Sequence, residues 1–180
     1  MSKATRSTAY HEAGHAVAAH ALGLGTVAVS VEPKGDAIGW HQMPDANVDH
    51  LNSAMRVLAH LEIPGLGDCR FETDDEAAAV LRQHLLLIQG GEVAQRRAVP
   101  TSYRHHHVDS DHGHIIDLAL LLTGGNPDAV EVLDAELRAE AERLLDKHWA
   151  SVEAVAAALL EHGSLTGAQV AAIVNERSEA

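Results

Sequence analysis

Five residues near the start of the chain, His11-Glu12-Ala13-Gly14-His15, have the types and spacing of a helix that holds a zinc ion and carries its own base. Residues four apart on an α-helix share a face, so the imidazoles of His11 and His15 can converge on one metal. Glu12, beside them, is suited to take a proton from water activated by that metal. With 14 His in 180 residues the chain also produces such a pattern by accident. The motif alone therefore leaves open two polar histidines on an ordinary helix.

The element that must carry these residues reads as a helix. Ser7 or Thr8 is placed to cap it, Ala9, Ala13, Ala16, Val17 and Ala21 are good helix formers, and Gly23 and Gly25 stop it. Gly14 inside that helix costs roughly 1 kcal/mol relative to Ala. Close approach of another backbone, or of substrate, would account for it.

Composition sets the frame around this helix. At 180 residues and 46% hydrophobic the chain can bury a proper core. It is expected to form one domain over 1–180, a zinc-site lobe over 1–127 followed by C-terminal helices over 128–180. Two Trp, two Tyr and one Phe leave the core to Ala, Leu, Val and Ile, which favours helices. The expected class is mainly α (α+β), with a small β-hairpin or sheet after the zinc-binding helix and a C-terminal helical bundle.

A net charge of −13 with no basic stripe points away from nucleic acid. The single cysteine, Cys69, excludes an intramolecular disulfide and a Cys-based zinc cage, so His and carboxylates must hold any metal. Met1 to Ala9 lacks the apolar core of a signal peptide, and no run of 18 apolar residues follows. A soluble cytoplasmic protein without membrane contact is expected.

Further along, Thr26 to Glu32 and Ala37 to Met43 read as two strands around the turn Pro33-Lys34-Gly35-Asp36. Residues 47 to 61 have helical spacing, and Thr73 with Glu76 forms a capping box for a long helix whose pattern Gly90-Gly91 interrupts. Pro100 to Ser110 reads as a loop and Ile115 to Leu122 as an apolar helix. Two helical stripes follow from Val130 to Leu144 and from Val152 to Leu160, with Ser151 as N-cap of the second and Gly163 as its stop. Thr166 with Gln169 forms a capping box for a last helix. No glycine-lysine phosphate loop occurs, so ATP binding is not encoded.

Thr8-Ala9-Tyr10-His11-Glu12-Ala13-Gly14-His15-Ala16 resembles the zinc helix of the peptidase domain of the FtsH-type AAA zinc metalloproteases, commonly T-A-x-H-E-A-G-H-A. Three later landmarks are similar to that family in the same order. They are the hairpin text VSVEPKGDAIGW, the Gly90-Gly91 and Ala94 helix, and the segment Leu159-Leu160-Glu161 leading to Leu165-Thr166-Gly167. The resemblance spans nearly the whole chain and implies a zinc metalloendopeptidase of the HExxH type, a hydrolase active in proteolysis.

The resemblance also implies a third metal ligand, an aspartate opening a helix after the Gly-Gly motif. Asp111, in Asp109-Ser110-Asp111-His112, matches that step, with Asp109, His112 and His114 as competitors. The alternative for Asp111 is a helix N-cap that touches no metal. His105-His106-His107 reads as an exposed tract outside the site. The remaining histidines, His41 and His84 among them, have no spacing partner that suggests a ligand.

His11, His15 and Asp111 would leave a fourth position for water, the open arrangement of a catalytic zinc, with Glu12 as general base. Gly39 and Trp40, in the strand after the zinc helix, would bind substrate by pairing it as an added strand, or form an ordinary strand with a packed Trp.

The chain departs from the family's pattern at Gln95, which stands where the family has glutamate, and over about 44–70, which reads as an insertion. Its 180 residues do not include the ATPase module and membrane anchor that accompany the family's peptidase domain, and a peptidase domain acting without them is expected. The expected substrates are therefore unfolded or flexible protein segments, with a separate ATPase unfoldase as possible partner and ring-like self-association as in the family. The rival expectation is a non-proteolytic zinc-stabilised helical domain that binds a partner protein.

Overall fold

Helix α1, Lys3–Ala21, carries the motif and starts earlier than the sequence suggests. Ser7 and Thr8 do not cap it: both lie inside it and are buried, because the helix continues through Lys3 to Arg6 and turns the two hydroxyl residues toward the core. Its end is the expected one. Gly23, at φ 72°, lets the Leu24 N–H donate to the Ala19 carbonyl at 2.8 Å and its own N–H to the His20 carbonyl at 3.1 Å. That pair of bonds is a Schellman stop.

The computed structural model describes residues 3–35, 37–60, 71, 73–102 and 111–178, with the backbone alone at 3–5, 102, 111, 112 and 178. After α1 come strands β1 (Ala28–Ser30) and β2 (Trp40–Gln42), then helices α2 (Asp45–Leu58) and α3 (Asp74–Ala98). A short 3-10 turn at Pro100–Ser102 precedes α4 (Asp111–Leu122), α5 (Pro127–Lys147) and α6 (Trp149–His162). Strand β3 (Ser164–Thr166) and helix α7 (Gly167–Ser178) follow. The chain is mainly helical with one small antiparallel sheet.

Helix α3 is the partner that α1 packs on. Thr73 caps it, its hydroxyl accepting from the Glu76 N–H at 3.2 Å. Gly90-Gly91 does not interrupt it, because these glycines sit where the two helices cross. A Cβ on Gly90 would stand 2.9 Å from Ala18 Cβ and 3.0 Å from the Gly14 carbonyl oxygen, and one on Gly14 would overlap the Gly90 carbonyl. Missing side chains bring the backbones together, and the packing so gained offsets the poor helix propensity of glycine.

Around this crossing one apolar cluster draws on Val17 of α1, Leu81 and Leu85 of α3, Leu137 and Leu145 of α5, Leu159 of α6 and Val174 of α7. Residues before and after position 127 thus share a core. Polar ties fix α5 on α3: Gln89 Nε2 donates to Asp134 Oδ1 at 2.6 Å, and Arg82 pairs with Glu140 at 2.8 Å. Trp149, at the start of α6, stacks on Tyr10 with ring centres 6.1 Å apart and carries the Arg97 guanidinium at 4.0 Å. Because α6 begins at Trp149, Ser151 is a buried residue within the helix and not its cap. α5 does have a side-chain cap, Asn126, whose carbonyl accepts from the N–H groups of Asp128 and Ala129.

The sheet has the order β2-β1-β3, antiparallel throughout. Both hairpin strands are shorter than their alternating text, and the third strand falls where the sequence signals only the approach to a helix. Thr166 serves both roles. It pairs with Ala28, and it closes a capping box in which its N–H donates to Gln169 Oε1 at 2.8 Å and the Gln169 N–H donates to its hydroxyl at 3.3 Å. Of the 44–70 stretch, 45–58 forms α2 and 61–70 lies outside the described residues. Among the described residues no helix is long and apolar enough to cross a membrane.

Candidate metal centre

One turn of α1 separates His11 from His15, and their side chains meet. The two Nε2 atoms are 3.0 Å apart, with the rings edge to face at 89°. Two nitrogens bound tetrahedrally to one zinc at 2.0–2.1 Å are about 3.3 Å apart. The pair is therefore set at close to the span that a shared ion requires.

The other nitrogen of His15 fixes its chemistry. Nδ1 lies 3.0 Å from the Leu87 carbonyl oxygen of α3, which can only accept. The Nδ1 of a neutral His15 therefore carries the proton, and Nε2, facing His11, keeps its lone pair. A carbonyl on the far nitrogen is the usual means of orienting a metal-binding imidazole. Gly91 allows this placement: a Cβ there would come within 2.5 Å of His15 Nε2.

Glu12 is 5% exposed and His15 6%, so both side chains are largely withdrawn from solvent. The chain before β2 covers Glu12. A Cβ on Gly39 would stand 2.7 Å from Glu12 Oε1 and 2.6 Å from Thr8 Cγ2, so only glycine lets the strand lie this close to the carboxylate. Gly39 is thus brought to the site. Trp40 is not: successive side chains of a strand alternate in face, and the Trp40 ring carries the Lys34 ammonium at 4.8 Å.

Sequence spacing gives His41 no partner, yet the fold brings it to His15. Its ring lies 6.2 Å from that of His15, and its Nε2 is 2.9 Å from Thr26 Oγ1. Burial, reinforced by His15 nearby, pushes its pKa down to about 3, so it is neutral at physiological pH. The available signal was strand alternation, since Gly39 and His41 are two apart. His41 is half-buried by surface exposure, whereas His84, likewise without a spacing partner in the sequence, is fully buried at 2% exposed, with Nδ1 on the Val80 carbonyl at 2.9 Å.

Asp111 opens α4, as expected of the third ligand, and α4 packs on α3. The side chains of Asp111 and His112 lie outside the described residues, as do Asp109 and the whole of His105-His106-His107. His114 is exposed. Among the described residues no three His, Cys, Asp or Glu side chains form a group able to hold a metal. Two predicted ligands, the base and Gly39 are brought together. Gln95 lies on α3 one turn beyond Gly91 and is partly buried. No model of a known protein family matches the chain, and no curated protein matches it.

Proposed function

We propose that this protein is a zinc metalloendopeptidase of the FtsH-like type, cutting peptide bonds in unfolded or flexible protein segments. The observation that carries the reading is the apposition of His11 Nε2 and His15 Nε2 at 3.0 Å, with the His15 tautomer fixed by Leu87. His11 and His15 would hold the ion, with Asp111 as third ligand from the start of α4. Zinc so held supplies Lewis acidity and makes water nucleophilic at neutral pH.

Glu12 is the general base: it takes a proton from the attacking water and returns it to the leaving amine. Its burial favours this role, because a structural zinc has no use for a carboxylate placed beside its ligands. Gly39 lies against Glu12, and β2, which follows it, is an edge of the sheet. A peptide paired to that edge would be held mainly by backbone hydrogen bonds, with weak sequence preference. An unfoldase partner and self-association are part of the same proposal.

The test is cleavage of unstructured casein by the zinc-loaded protein and by its Glu12→Gln variant. Cleavage by the wild type alone is expected. Absence of cleavage by zinc-loaded wild type overturns the enzyme and favours a zinc-stabilised interaction domain.

A further inference from the structure

Gly39, in the bend just ahead of β2, and His41, on one face of β2, each meet a different residue of α1. Gly39 lies against Glu12, and the His41 ring faces that of His15 at 6.2 Å with an inclination of 31°. The sheet register fixes this face. His41 pairs with Val29, which pairs on its other side with Leu165, and both apolar partners are buried. His41 is therefore on the core side of an edge strand, where an apolar residue would fill the space without the desolvation of a ring nitrogen. What histidine adds is a hydrogen bond: Nε2 to Thr26 Oγ1 at 2.9 Å fixes where the ring stands.

The His15 imidazole is thus bounded from three directions. The Leu87 carbonyl holds Nδ1, Gly91 backs the ring from α3, and His41 faces it from the sheet. We infer that His41, tethered by Thr26, is a positioning residue for the metal centre, holding the His15 ring in the plane in which its Nε2 meets the ion. The inference rests on the metal-site reading above. It assigns the sheet a part in metal binding, beyond presenting an edge to substrate.

The experiment uses the metal-free full chain, titrated with Zn²⁺ against a chromophoric chelator and with Co²⁺ followed by its visible absorption. His41→Phe keeps a ring and removes the tether; Thr26→Val keeps a branched side chain and removes the hydroxyl. Each variant is expected to bind zinc about ten-fold more weakly, as when a group orienting a ligand is lost, and to shift the cobalt band. The double variant should lose no more than the stronger single one, because both remove the same tether. Wild-type affinity and an unchanged cobalt band in both single variants overturn the inference, including the case in which only the melting temperature falls. Failure of the wild type to bind stoichiometric metal overturns instead the metal-site reading, and His41 with it.

Discussion

Gly14 of α1 and Gly90 of α3 touch backbone to backbone, each lying where the other's side chain would have to be. This contact sets the distance between the helix that carries His11, Glu12 and His15 and the helix that supplies the Leu87 carbonyl. The glycine inside the motif is a packing requirement as well as part of a recognisable pattern.

Replacing Gly14 by Ala tests that requirement. In an isolated helix the change would stabilise by about 1 kcal/mol. Here the new methyl overlaps the Gly90 carbonyl, and a net loss of about 1–3 kcal/mol is expected, as for overpacked cores. Urea unfolding of the metal-free protein measures it, and a gain in stability would show that the helices separate without cost.

Gly91→Ala should act on metal more than on fold, because its Cβ would enter the His15 ring. A weakening of zinc binding by about ten-fold or more is expected, with chelator competition as the measurement. Unchanged affinity would mean that His15 reaches its ligand position by another rotamer.

His15→Ala removes one of the two apposed nitrogens and should abolish stoichiometric zinc. Metal analysis after dialysis decides it. Full retention would show the ligand assignment to be wrong.

Acid should destabilise the metal-free protein through His84. Burial, with His50 nearby, holds its folded-state pKa below 6.5, against a weaker opposing effect of the Val80 carbonyl. The unfolded chain therefore binds a proton that the folded one refuses. This contribution to stability is complete above pH 6.5 and is lost as pH falls below it, at up to about 1.4 kcal/mol per pH unit. Denaturation midpoints measured from pH 7 to pH 4 should fall less steeply in His84→Leu than in the wild type.

Much of this arrangement was legible in the residues. Helical spacing places His11 and His15 on one face, Thr73 with Glu76 announces the start of α3, and Gly23 and Gly163 end helices at positive φ. Local rules failed where tertiary contact decides. Gly90-Gly91 reads as a break because propensity counts only the helix it sits in, whereas the crossing with α1 needs both glycines. Ser7 and Ser151 read as caps because serine favours that position, yet both are buried within helices.

The site itself was half legible for the same reason. His11, Glu12 and His15 lie within one and a half turns and betray themselves by spacing. His41 reaches His15 only through the pairing of β2 with β1, and Leu87 acts through a carbonyl that every residue has. No residue type signals either role.

The pairing of β1 with β3 has a consequence for the order of events during synthesis. Ser30 and Ser164, joined by a 2.7 Å hydrogen bond between their hydroxyls, are 134 residues apart in the chain. The hairpin of β1 and β2, which carries His41, can pair as soon as residues 28–42 are made, but its third strand is added only after residues 164–166 have left the ribosome. Such a distant pairing forms late. The hairpin would thus wait through synthesis with the β1 edge open, its third strand the last part of the sheet to arrive.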